Sequence, residues 1–140
     1  MAYFDSKEIL DGFVETYLEE QRLIAQLKEH TREIRYDFLR KKAEKIVEED
    51  LTHAKFLEEK IKESGGSLPA APAVVIRGGF LRDKLAWDLR DKQMLEARYI
   101  ELANQILDEQ EELGKALRKI AREEKEHESL LMEILMKINP

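Results

Sequence analysis

The chain has 140 residues, a net charge of −6 and 39% charged side chains with both signs interspersed, a pattern that argues against a nucleic-acid surface. Cysteine is absent, which excludes disulfides, cysteine-bound zinc and iron–sulfur clusters. No apolar run approaches the roughly eighteen residues of a membrane span or resembles a signal peptide, so one cytoplasmic domain over residues 1–140 is expected.

Abundant Glu, Lys and Arg with six Gly and three Pro point to long helices, and four are predicted. The first, over about 6–35, carries Leu10, Phe13, Tyr17, Glu20, Ile24, Leu27 and Ile34 in the three–four rhythm of a bundle seam. Glu20 is the acid on that seam, whereas Glu15 and Glu19 fall on the polar side. The second, over about 38–63 with Asp37 as its N-cap, has the seam Leu39, Ala43, Ile46, Asp50, His53 and Leu57.

Residues 64–79 differ from the rest. They carry Gly65, Gly66, Pro69 and Pro72, then the apolar Val74, Val75 and Ile76, with almost no charge. Sixteen extended residues span roughly 50 Å, and a helix of about 26 residues is roughly 39 Å long. The segment can therefore run the length of a bundle, leaving the second and third helices parallel, with its apolar middle against the bundle surface. The third helix, over about 80–107, has a looser seam of Leu81, Asp88, Asp91, Leu95, Leu102 and then Ile106 or Gln105. A possible capping box, Asp108-x-x-Glu111, opens the fourth, over about 109–138, whose seam is Leu113, Leu117, Ile120, Glu124, His127 and Leu131.

The second and fourth seams repeat each other seventy-four residues apart, and both are apolar except at Asp50-x-x-His53 and Glu124-x-x-His127. Residues three apart share a helix face, so each pair can aim an oxygen and an imidazole nitrogen at one point. About one residue in five is acidic, so one such pair is a common accident; two in the same register on buried seams are not. Burying an acid and a histidine twice is costly unless something pairs with them, and a metal ion is the obvious partner. Glu20 lies seventeen residues before Asp37, and Asp91 seventeen before Asp108, which places both acids at matched heights. The expected metal-binding set is Glu20, Asp50, His53, Asp91, Glu124 and His127.

With these residues the chain resembles the ferritin-like diiron-carboxylate superfamily, above all its bacterioferritin and rubrerythrin branches. Their pattern is one acid from each of two helices plus Glu-x-x-His from each of the other two. Asp88-Leu89-Arg90-Asp91 is similar to the bacterioferritin third-helix motif Asp-Leu-x-x-Glu. His53-Ala54-Lys55-Phe56-Leu57 and Glu124-Lys125-Glu126-His127 are similar to the second- and fourth-helix motifs. Three departures stand out. Asp replaces Glu at positions 50 and 91, Leu51 stands where bacterioferritin has its haem methionine, and rubredoxin-like cysteines have no counterpart.

The resemblance implies an all-α, ferritin-like antiparallel four-helix bundle with a long crossover between helices two and three. It implies two iron ions, with manganese or zinc fitting the same donors, and no haem. Asp88 takes an outer place in the motif; with helices two and three side by side, it is expected to orient His53 rather than bind metal. The expected activity is a dimetal oxidoreductase acting on peroxide or dioxygen, of ferroxidase or peroxidase type. Its electrons come from an external donor, and its assembly is a homodimer, with no membrane or nucleic-acid partner. The alternatives are an iron storage or detoxification protein of a cage assembly and a metal-free helical interaction module. His30 is expected at the surface, Tyr36 and Tyr99 as packing residues, and Trp87 at the core edge.

Overall fold

The computed structural model describes residues 7–73, 78–106 and 108–138. Four helices carry the fold: α1 (Lys7–Arg32), α2 (Asp37–Glu63), α3 (Leu81–Gln105) and α4 (Glu111–Lys137), with a single 3-10 turn at Asp108–Gln110 ahead of α4. No strand occurs among the described residues. Neither expected cap forms. Tyr36 and Gln110 hold the N-cap positions of α2 and α4 without a side-chain bond, while Asp37 and Asp108 begin the α2 and 3-10 segments themselves.

Side chains that bridge the helices give their directions. Glu20 meets Tyr99 and His30 meets Asp88, so α1 and α3 are antiparallel neighbours. Lys42 meets Glu133 and His53 meets Glu123, so α2 and α4 are too. α1 also packs on α2, and α3 on α4, whereas α2 and α3 face each other only across the diagonal. Helices two and three are therefore parallel, as expected, but not side by side. The end of α2 and the start of α3 lie at opposite ends of the bundle, which forces the long crossover.

That crossover leaves α2 through a tight turn. Gly65, at φ +80°, donates to Lys62 O and Gly66 donates to Ile61 O, the paired bonds that close a helix through a left-handed residue. Glycine suits the spot because it adopts that conformation without a Cβ penalty. Leu68 then packs against the core. The expected docking of Val74, Val75 and Ile76 lies outside the described residues.

The core is built by the seams. Phe13, Leu27, Leu39, Ile46, Leu57, Leu85, Leu117, Leu131 and Ile134 are all fully buried. In α3 the buried seam is Leu85, Asp88, Lys92, Leu95, Tyr99 and Leu102, in the same three–four alternation as its partners. Asp91 is not on it, because the next residue of a helix is turned by about 100°. Midway along the bundle the apolar layers give way to seven polar side chains, Glu20, Asp50, His53, Lys92, Tyr99, Glu124 and His127, each no more than 3% exposed.

Candidate metal centre

Each helix contributes to this polar layer from its seam: Glu20 from α1, Asp50 and His53 from α2, Lys92 and Tyr99 from α3, Glu124 and His127 from α4. Ligand atoms of Glu20, Asp50, His53 and Glu124 all lie within 4.8 Å of one another. His53 Nδ1 points inward, 2.9 Å from Glu124 Oε1 and 3.4 Å from Asp50 Oδ1. Tyr99 donates its hydroxyl to Glu20 Oε2 at 2.6 Å. Glu20 Oε1 and Asp50 Oδ1 are buried with no hydrogen-bond partner, although Asp50 Oδ1 stands 3.4 Å from Nδ1 of both His53 and His127. An orphaned buried carboxylate oxygen is costly, and two aimed into one cluster with an inward imidazole nitrogen form a donor set suited to a cation.

The other half is organised by Lys92. Its ammonium donates to Asp50 Oδ2 and to Glu124 Oε2 at 2.8 Å, and lies 3.0 Å from His127 Nδ1. Sequence reasoning missed this residue because a lysine amid acids reads as a solvated face. Its place in the α3 rhythm between Leu85 and Leu102 was the available signal.

The structure brings five of the six expected residues together and leaves Asp91 out. The Asp91 side chain is 20% exposed; it accepts from Gln26 at 3.0 Å and lies 3.7 Å from Arg22. Matched distance to the turn set neither its facing nor its height: Glu20 is level with Tyr99, eight residues or about 12 Å along α3 from Asp91, which is level with Gln26. Asp88 also lies elsewhere than expected: it meets His30 Nδ1 at 2.5 Å and accepts from Gln26 at 2.7 Å. It stands near the start of α3, level with the end of α1, while His53 lies towards the far end of α2, level with Glu123. His30 is accordingly buried at 4% exposure, not a surface residue.

The groups that do hold the histidines from outside are Glu123 and Glu49. Glu123 Oε1 lies 3.0 Å from His53 Nε2, and Glu49 Oε1 lies 2.7 Å from His127 Nε2. The exchange is reciprocal, each acid standing one residue before the seam acid of the opposite helix, and the seventy-four-residue repeat extends to this pair. Once a ring is neutral, giving Nε2–H to its carboxylate turns the lone pair of Nδ1 inward.

Burial and charge set the protonation of the metal-free cluster. Burial, then the Asp50 and Glu124 carboxylates, hold Glu20 well above the usual carboxylate range. Burial, the largest single influence, would raise Asp50 as well, but the Lys92 ammonium together with His127 and His53 holds Asp50 well below its ordinary value; Glu124 is lowered in the same way. Burial works against charged imidazoles, yet the neighbouring Asp50 and Glu124 carboxylates carry His53 to about 10 and His127 to about 9. Burial and the Glu20 carboxylate raise the Tyr99 phenol well above its usual value.

No protein-family model and no curated protein matches the chain. Among solved structures it is similar to a crystal structure of ferritin like, diiron-carboxylate proteins from Bacillus anthracis str. Ames. The TM-score is 0.82 at 23% identity, over 92% of this chain and 96% of that one. The fold is thus that of the ferritin-like four-helix bundles.

Proposed function

We propose that this chain is a metal-dependent oxidoreductase whose bundle core binds a divalent transition ion and which acts on peroxide or dioxygen. The observation that carries the reading is the pair of orphaned, fully buried oxygens, Glu20 Oε1 and Asp50 Oδ1, in one cluster with His53 Nδ1 and Glu124. The likeness to a protein described as diiron-carboxylate supports it. Three carboxylates and an imidazole suit iron or manganese, with zinc less apt for redox chemistry. When bound, such an ion supplies the electron-transfer step to an oxygen substrate.

The chain's own residues do the rest. Glu123 fixes the tautomer of His53, so that Nδ1 faces the ion. Tyr99 holds one oxygen of Glu20 and leaves the other for the metal. Lys92 holds Asp50 and Glu124 in place from the opposite side. Packed Leu and Ile above and below keep bulk water from the layer. Peroxide reduced to two waters takes two electrons and two protons. The chain has no cysteine pair to store electrons, so an external donor delivers them.

A metal-free polar network is the competing reading, and Lys92 favours it by neutralising part of the acid charge. It leaves the two oxygens unsatisfied, which a network of that kind would not do at rest. Metal analysis of protein purified without added metal separates the two. Bound iron or manganese that is lost in Glu20→Ala and His53→Ala, with peroxide consumption that needs the metal, is the expected result. Metal content unchanged by both substitutions would sink the proposal.

A further inference from the structure

The two halves of the polar layer are related by exchanging α1 with α3 and α2 with α4. On one side Glu20 and His53 flank Asp50 and Glu124; on the other Lys92 and His127 flank the same two carboxylates. A second ion in this layer would need Asp50, Glu124 and His127 Nδ1, and those are the three groups the Lys92 ammonium already holds. Asp91, the third-helix acid that would complete a second set of donors, faces Arg22 and Gln26 instead.

We propose that the Lys92 ammonium takes the place of one metal ion, so that the centre holds a single divalent cation on Glu20, Asp50, His53 and Glu124. The inference rests on the metal-binding reading above and replaces the pair of ions expected from the sequence with one. Charge supports the count. The three carboxylates of the layer face one fully buried ammonium, which leaves two negative charges for one divalent ion once both imidazoles have given up the extra proton they carry in the metal-free cluster. Glu49 and Glu123, each 32% exposed at the side chain, sit at the rim and are used by the outer histidine nitrogens. A second dication beside the ammonium would meet a like charge in a low-dielectric interior, where repulsion is strongest.

The test is made on the whole chain, wild type and Lys92→Glu, stripped by chelator and reloaded with manganese(II) alone. The retained metal is counted after desalting, and its electron paramagnetic resonance spectrum is recorded. Wild type should hold about one ion per chain with the spectrum of isolated manganese. Lys92→Glu, which places an acid at that seam position, should hold about two with a spin-coupled signal. Two ions in wild type, or a coupled signal, overturn the inference and leave the proposed function standing. One ion in both proteins overturns the assignment of Lys92 as the excluding cation. No retained metal in wild type overturns the metal reading itself and the inference with it. Should Lys92→Glu fail to fold, the wild-type count and spectrum still decide, since an isolated single ion supports the inference and a pair refutes it.

Discussion

Glu20 and Lys92 hold corresponding places on the two helices that flank the centre, and their chemistry is opposite. Around Glu20 the layer is short of positive charge: burial and two neighbouring acids push its carboxyl up, and one of its oxygens has no partner. Around Lys92 the layer is satisfied, with two carboxylates and an imidazole on one ammonium. The same bundle thus builds one half of the site to be complete by itself and the other to need a ligand. Stability and ligand affinity should therefore respond to different halves.

The largest effect on stability should come from the Lys92 half. Removing one member of a buried ion pair leaves the others charged and unpaired, a loss of about 3–5 kcal/mol. In chelator, Lys92→Met should lower the denaturant midpoint by that equivalent. Glu20→Gln, which deletes an acid its neighbours repel, should leave the midpoint equal or higher. Equal losses for the two variants would break the asymmetry.

The metal-free protein should also be weakened by alkali. His53 and His127 have folded values of about 10 and 9, above the ordinary imidazole value of 6.5. A raised value means that the charged ring favours the folded state. That stability is complete below pH 6.5 and is lost as pH climbs through 9 to 10. His53 is the cleaner case, because His127 Nδ1 also faces the Lys92 ammonium. Thermal melts in chelator should fall between pH 6.5 and 9.5, while metal, which binds the neutral His53 ring, should remove the His53 part of the fall. A flat profile in chelator would mean that both rings are already neutral.

The bundle was legible in the sequence because apolar residues at three–four spacing dictate which face is buried, and α1, α2 and α4 obey that rule without ambiguity. The acid–x–x–His pairs were legible for the same reason: they interrupt otherwise apolar seams. The third helix was not. Its seam carries Asp88 and Lys92, so a charge-based reading slid by one residue to Asp91, lost the lysine, and took Tyr99 for a packing residue without its bond to Glu20. Packing partners are a tertiary fact as well. Only the diagonal placement of α2 and α3 explains why Asp88 serves His30 while Glu123 and Glu49 serve the histidines of the centre.

Between the halves, the histidines should separate next. His53→Ala removes a donor from the open half, so metal affinity should drop by more than the roughly 10–100-fold typical of losing an outer partner. Glu123→Gln, which frees the His53 ring without removing it, should fall within that range. His127→Ala and Glu49→Gln act on the half already filled by Lys92, and isothermal titration should find their affinities within a few-fold of wild type. Matching losses at His53 and His127 would argue that both histidines bind metal and that the lysine moves aside.

The smallest effect is expected at Asp91. Equal distance to the turn predicts Asp91 level with Glu20, yet Glu20 meets Tyr99, while the Asp91 carboxylate is partly exposed and pairs with Gln26 and Arg22. A partly exposed ion pair at 3.7 Å is screened by water, so its loss should cost no more than about 1 kcal/mol. Gln26 keeps a second acceptor in Asp88, which limits the cost further. Asp91→Ala should therefore melt within a few degrees of wild type and retain the same metal content, whereas Glu20→Ala should lose the metal. If Asp91→Ala instead releases a metal equivalent, the α3 helix must turn by about 100° on binding to bring that carboxylate inward and carry Lys92 out. The resting arrangement of the Lys92 half would then be a closed state of a two-ion centre, and the asymmetry between the halves would belong to the metal-free protein alone.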